Sequence, residues 1–241
     1  MTAGAAAPIL SSTHLIERPR DGRAPLMTST RILLIRHGET AWNAERRLQG
    51  HIDIGLNAEG RRQAAALAAA LAPEQLDGVF ASDLQRAWQT AEAIAAPRAL
   101  AVTQLAGLRE RCYGGFEGLL YSEIEARFPA EFAAWQARDV DAVMPSGARA
   151  AESFRAFYRR AVGSLLALAE QHAGKTIAVV AHGGVLECAY RAALGMLLET
   201  PRDFPVLNAS VNRFSAAGGA LTLTSWGEVG HLAASALDEQ A

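Results

Sequence analysis

Several features are scarce in this chain of 241 residues, and each scarcity excludes something. There are only two cysteines, Cys112 and Cys188. A disulfide-stapled scaffold is therefore excluded, and a reduced, cytoplasmic setting is the expectation. No run approaches the roughly 18 apolar residues of a membrane-spanning helix. The alanine-rich stretches read as soluble helix interrupted by charges. Positive charge is not in excess: the formal net charge is −2, which argues against nucleic-acid binding, since that needs a basic face. There is no HExxH, no CxxC and no aspartate cluster, so neither a metal nor another cofactor is expected. No internal repeat is visible.

What is present is ample apolar content, 50%, with 20% charged residues. That suits one globular domain with a sizeable core, or such a domain with a lid. Residues 1–26 differ from the rest. Pro8, Pro19 and Pro25 interrupt them, and Arg18, Arg20 and Arg23 lie among small residues. They contain no apolar segment of the kind a signal peptide needs. The expectation is a disordered extension, or a mis-assigned start with Met27 as the initiator.

Along residues 27–241 the pattern alternates between strand and helix. Arg31–Arg36 is short and rich in β-branched and leucine residues, which predicts a strand. Ala41–Ile54 reads as a loop with a helical turn. A helix follows from about Asn57, its N-cap, to Leu71, where Pro73 stops it. Val79–Ala81 predicts a second strand. Ser82 and Asp83 are expected to cap a helix over Leu84–Ala95 that Pro97 ends. Ala101–Gln104 is a candidate third strand, and Leu108–Gly118 a loop with several glycines. Tyr121–Arg138 is helical in pattern, with a break at Pro129. It lies outside the alternation and is assigned, with Val143–Ala150, to a lid over about residues 121–150. Glu152–His172 predicts a long amphipathic helix. Thr176–Ala181 predicts a buried strand, followed by a helix from Val185 to Leu194. Val211–Ala216 and Ala220–Trp226 predict a hairpin turning at Gly218-Gly219. The whole predicts an α/β fold: a three-layer α/β/α sandwich, with a mostly parallel sheet, an antiparallel edge hairpin and a small helical lid.

In such sheets ligands bind outside the carboxyl ends of the strands. Four predicted strand ends carry unusual polar groups: Arg36 and His37, then Arg86, then Glu110, then His182 with Gly183. A rim holding two arginines, two histidines and one carboxylate suits a dianion. Guanidinium forks match phosphate oxygens, and N–H groups opening a helix favour an anion. Imidazole is an adequate nucleophile at neutral pH without a metal. A carboxyl group with a raised pKa can protonate a leaving alkoxide.

The runs Arg36-His37-Gly38-Glu39-Thr40 with Asn43, Ser82–Ala87, Leu108–Gly118 and Val179–Gly184, in that order, resemble the histidine phosphatase superfamily, which includes cofactor-dependent phosphoglycerate mutases. The resemblance spans about Arg31 to Trp226. It implies that His37 is a nucleophile forming a phosphohistidine. Arg36 and Arg86 then clamp the phosphoryl oxygens and His182 bonds the same group. Glu110 is acid and then base. Asn43, Gln49, Gly50 and Gly183 are the expected substrate contacts. A homodimer is a further expectation carried by the resemblance.

Mutases of that superfamily carry a lysine where Tyr121 stands here, and paired lid arginines where, between Phe128 and Ala142, this chain has Glu131, Asp139, Asp141 and a lone Arg138. The expectation is therefore a phosphatase acting on a small phosphorylated metabolite, with an acidic-to-neutral pH optimum. A phosphoglycerate mutase and a non-catalytic phospho-ligand sensor are the alternatives. His14, His172 and His231 are read as surface residues, and His51 as equally a pocket or a loop residue. Cys112 is read as structural, Glu117-Gly118 as support for the Glu110 loop, and Phe128, Phe132 and Trp135 as lid core.

Overall fold

A computed structural model describes residues 28–232. The expected extension, Met27 and His14 lie outside the described residues. The sheet has six strands: β1 (Thr30–Arg36), β2 (Gly78–Ala81), β3 (Val102–Gln104), β4 (Thr176–Ala181), β5 (Val211–Ala217) and β6 (Ala220–Glu228). Their spatial order is β3-β2-β4-β1-β5-β6. The first four run parallel, and β5 and β6 are antiparallel to their neighbours, which makes the expected hairpin edge. Gly218 and Gly219, at φ +57° and +75°, form its turn, where side-chain-bearing residues would be strained.

Strand β4 is buried at every position and β1 at all but one, as befits central strands covered on both faces. Successive side chains leave the sheet on opposite faces. Ile32, Leu34, Ile177 and Val179 join α6 (Phe154–Gln171) and α7 (Gly183–Leu194) in one core layer. Leu33, Ile35, Ala178 and Val180 join α2 (Ala58–Ala70) and α3 (Gln85–Ala95) in the other. This is the three-layer arrangement. A short α1 (Ala41–Ala44) follows β1, and α4 (Tyr121–Arg127) and α5 (Pro129–Gln136) form the lid, divided at Phe128 and Pro129. Phe128, Phe132 and Trp135 pack there against Tyr113, Phe116, Ile124 and Met144, so they are lid core.

Asn57 caps α2 by accepting from the Gly60 N–H, and Gly195 ends α7 in the left-handed region. Three local expectations need correction. Helix α3 begins at Gln85 without a side-chain cap. Asp83 instead binds Arg109 through both carboxylate oxygens, and Ser82 Oγ accepts from the Leu84 N–H. Helix α7 starts two residues before the expected Val185, at Gly183, and α6 starts at Phe154 behind a Ser153 cap. Finally, His172 is half-buried, with its ring edge-on to Phe80, rather than a plain surface residue. Among the described residues no helix is long and apolar enough to cross a membrane.

Candidate active site

The parallel pairing of β1 with β4 sets Arg36 beside Ala181, so the residues that follow, His37 and His182, emerge together. Their rings meet edge to face with centroids 5.2 Å apart. His37 Nδ1 lies 2.7 Å from the Gly38 carbonyl oxygen. A carbonyl only accepts, so Nδ1 carries the proton and Nε2 keeps its lone pair. His37 is 3% exposed, and its pKa is held well below the usual histidine value, first by burial and then by the nearby Arg86 and Arg36. His182 is fully buried and its pKa is likewise held low by burial, then by Arg86 and His37. Neither of its ring nitrogens has a hydrogen-bond partner among the described residues. A buried imidazole so placed is matched to a ligand rather than to the protein.

Around His37 lies a cavity of about 50 Å³. It is lined by Arg36, Asn43, Gln49, Gly50, Arg86 and Glu110 together with Tyr113 and Tyr121. Both arginines are 1% exposed. Arg36 Nη1 donates to the Val206 carbonyl at 2.6 Å. Arg86 donates to the carbonyls of Gly50 and Ile52 at 2.7 and 3.0 Å. Each guanidinium is thus anchored by backbone and fixed in direction. Glu110 is 4% exposed, and its two oxygens accept from the N–H groups of Arg111 and Gly184 at 2.8 and 3.0 Å. A Cβ on Gly184 would stand 2.3 Å from a Glu110 oxygen, so only glycine permits this approach.

The structure therefore brings Arg36, His37, Arg86, Glu110 and His182 to one rim, with Asn43, Gln49 and Gly50 on the cavity wall. Asn43 also works locally: its side chain accepts from the Thr40 N–H while Thr40 Oγ1 accepts from the Asn43 N–H, which caps α1. Gly183 does not line the cavity; its neighbour Gly184 supplies the N–H that reaches Glu110. His51 resolves as a half-buried support, its Nε2–H donating to the Glu110 carbonyl at 2.7 Å. Glu117 accepts from the N–H groups of His51 and Tyr113, so it does brace the Glu110 loop. Cys112 and Cys188 are buried, and burial raises both thiol pKa values, which keeps them unreactive.

Two supports were not evident from the sequence. The segment before β5 holds the first turn from behind. Val206 accepts from Arg36, and Asn208 Nδ2 and the Ala209 N–H both donate to the His37 carbonyl, at 3.0 and 3.2 Å. Ala209 sits at φ +53° to do this. Opposite, Arg160 on α6 donates to the carbonyls of Gly107, Arg109 and Glu110 and to both oxygens of Glu152. Arg160 lies on a helix whose sequence shows only amphipathic periodicity, and no local signal marks it.

Comparison with known proteins agrees with this geometry. The family model "Histidine phosphatase superfamily (branch 1)" matches residues 32–229. Phosphoglycerate mutase-like protein 4 of Arabidopsis thaliana is 40% identical, the match covering 83% of this chain and 86% of that protein. The metal-independent phosphoserine phosphatase of the same plant is 36% identical over 84% of this chain and 83% of its own. Among solved structures, Bacillus stearothermophilus YhfR superposes with a TM-score of 0.76 at 32% identity, covering 84% of this chain and 98% of its own. The chain belongs to the histidine phosphatase superfamily.

Proposed function

We propose that the chain is a metal-independent phosphomonoesterase that works through a phosphohistidine on His37. The observation that carries this reading is the His37–Gly38 hydrogen bond, which leaves Nε2 unprotonated inside a cavity walled by two buried guanidiniums. Nε2 attacks phosphorus while the bond to the ester oxygen breaks. Arg36 and Arg86 neutralise charge on the equatorial oxygens. His182, neutral and without a hydrogen-bond partner among the described residues, donates one N–H to the same group. Glu110 gives its proton to the leaving alkoxide. It then takes a proton from water, whose oxygen attacks phosphorus as the P–N bond breaks and His37 is restored.

Water as the final acceptor is supported by relatives named as phosphoserine phosphatases and by Tyr121, which stands on the cavity wall where a mutase-type lysine would hold a second anionic group. The relative named phosphoglycerate mutase-like keeps transfer to a second phosphoglycerate as the competing reading. The test is turnover of p-nitrophenyl phosphate in EDTA, run beside a coupled assay for 2-phosphoglycerate formation. Chelator-resistant hydrolysis without mutase turnover is expected. Loss of activity with chelator, or efficient mutase turnover, contradicts the proposal.

A further inference from the structure

Beside the His37 cavity is a second, larger one of about 210 Å³. Tyr113 and Tyr121 belong to both walls, and Gly184, whose N–H binds Glu110, belongs to the second. An ester whose leaving oxygen faces Glu110 therefore extends its alcohol part past Gly184 into this chamber.

The charge of the chamber differs from that of the lid sequence. Of the lid's acids only Asp139 lines it; Asp141 is exposed and paired with Arg155. The lid's own Arg138 is joined by arginines from elsewhere in the chain. Arg111, Arg138 and Arg202 line the chamber, and Arg191 stands behind Glu187. One oxygen of Glu187 accepts from both Arg138, at 2.6 Å, and Arg191, at 2.8 Å. Glu187 is thus shared between two guanidiniums, and Arg111 adds a third positive group at the same wall, where Asp139 is the other carboxylate of the lining. Arg138, Arg111 and Arg191 also surround one ring, with guanidinium carbons 5.3, 6.0 and 6.0 Å from the Phe154 centroid. Part of the lining is aromatic: Tyr121 and Trp135 both line the chamber and stack with ring planes 21° apart. An apolar cavity of about 150 Å³ accommodates a benzene ring, so this chamber has room for a ring and a further group.

We propose that the chamber selects phosphate monoesters whose alcohol carries a ring-sized body and an anionic substituent such as a carboxylate. The ring lies on the Tyr121–Trp135 wall, and the anion meets the Arg138 side. This rests on the phosphatase reading above, and the test separates the two.

The experiment compares kcat/KM of the full chain for benzyl phosphate, 4-carboxybenzyl phosphate and O-phosphoserine, all esters of alkyl alcohols. The carboxylated ring ester is expected to exceed benzyl phosphate at least tenfold and to exceed O-phosphoserine. Arg138→Met should lower the ratio of the two benzyl esters at least fivefold, and Glu187→Gln should raise it. Leaving-group reactivity cancels in these wild-type-to-variant comparisons. Equal rates on the two benzyl esters, or a ratio untouched by Arg138→Met, would overturn the anion preference. A tenfold advantage for O-phosphoserine would overturn the ring. Hydrolysis of none of the three esters would instead refute the phosphatase reading. Circular dichroism identifies a variant that has not folded, and the wild-type ratios then decide alone.

Discussion

Glu110 and the backbone of Gly184 meet at 3.0 Å, joining the loop after β3 to the first turn of α7. The contact ties the candidate acid to the helix that carries His182, so the acid and the second imidazole keep one geometry. A methyl group at position 184 would also stand 2.8 Å from Phe157. Gly184→Ala is expected to fold with a loss of about 1–3 kcal/mol from overpacking. Turnover should fall by about a hundredfold because Glu110 is displaced. Thermal unfolding and kcat on p-nitrophenyl phosphate measure the two effects; near-wild-type turnover would show that Glu110 does not need this contact.

Asn208 tests the brace behind the nucleophile. Its amide donates to the His37 carbonyl from a fully buried position. Asn208→Ala leaves that carbonyl with the Ala209 N–H as its remaining donor among these two, and the loss is expected to be about 1–3 kcal/mol. Because His37 is misaimed rather than removed, kcat should fall more than KM rises. A change in KM alone would place Asn208 in substrate binding instead.

Arg160 is the keystone of the Glu110 loop, with five bonds to three carbonyls and one carboxylate. Hydrogen bonds from a charged group contribute about 1.5–3 kcal/mol, so Arg160→Ala should destabilise by at least the lower figure. Arg160→Lys should recover only part of it, since an ammonium cannot span the same fork. Denaturant midpoints check both; equal stability of the Ala and Lys variants would contradict the fork argument.

Much of the fold was legible because the central strands are short, with unbroken apolar middles bounded by polar residues or glycine. Thr176–Ala181 matches its expected limits, and the break at Pro129 falls where proline should start a new helix. The candidate site was legible because Arg36, His37 and His182 lie at strand ends and Arg86 in the first turn of the next helix; Glu110, in a loop beyond β3, was marked only by the resemblance of Leu108–Gly118. What stayed hidden depends on contacts distant in sequence. Asn208 reaches His37 only because β5 runs antiparallel beside β1, an order that no local pattern encodes. Arg160 and Arg111 carry no local signal of their roles: Arg160 reaches the Glu110 loop, and Arg111 the carbonyls of Glu152 and Ala142, only across long stretches of chain. The lid sequence is acidic, yet its chamber gathers arginines from the Glu110 loop, from α7 and from the segment after it.

The two buried imidazoles make stability depend on pH. Both have pKa values below the unfolded value of about 6.5. Below that value the unfolded chain takes up protons that the folded chain refuses. Stability is therefore fully present above about pH 7 and is lost as pH falls from 6.5 toward 5. Each group contributes up to about 1.4 kcal/mol per pH unit. His51 and His231, whose pKa values burial also lowers, add in the same direction. His182→Gln should flatten the slope by about half a proton at pH 6.5, rising to about nine-tenths of one at pH 5.5, in unfolding measured across that range; an unchanged slope would mean that His182 is charged in the folded state.

The central claim is that His37 becomes covalently phosphorylated. The direct measurement is rapid acid-free quenching of the enzyme with a radiolabelled phosphate ester, followed by peptide mapping. The account predicts label that survives alkali, is lost in acid, maps to His37 and is absent from His37→Gln. Label on another residue, or undiminished turnover by His37→Gln, would contradict it.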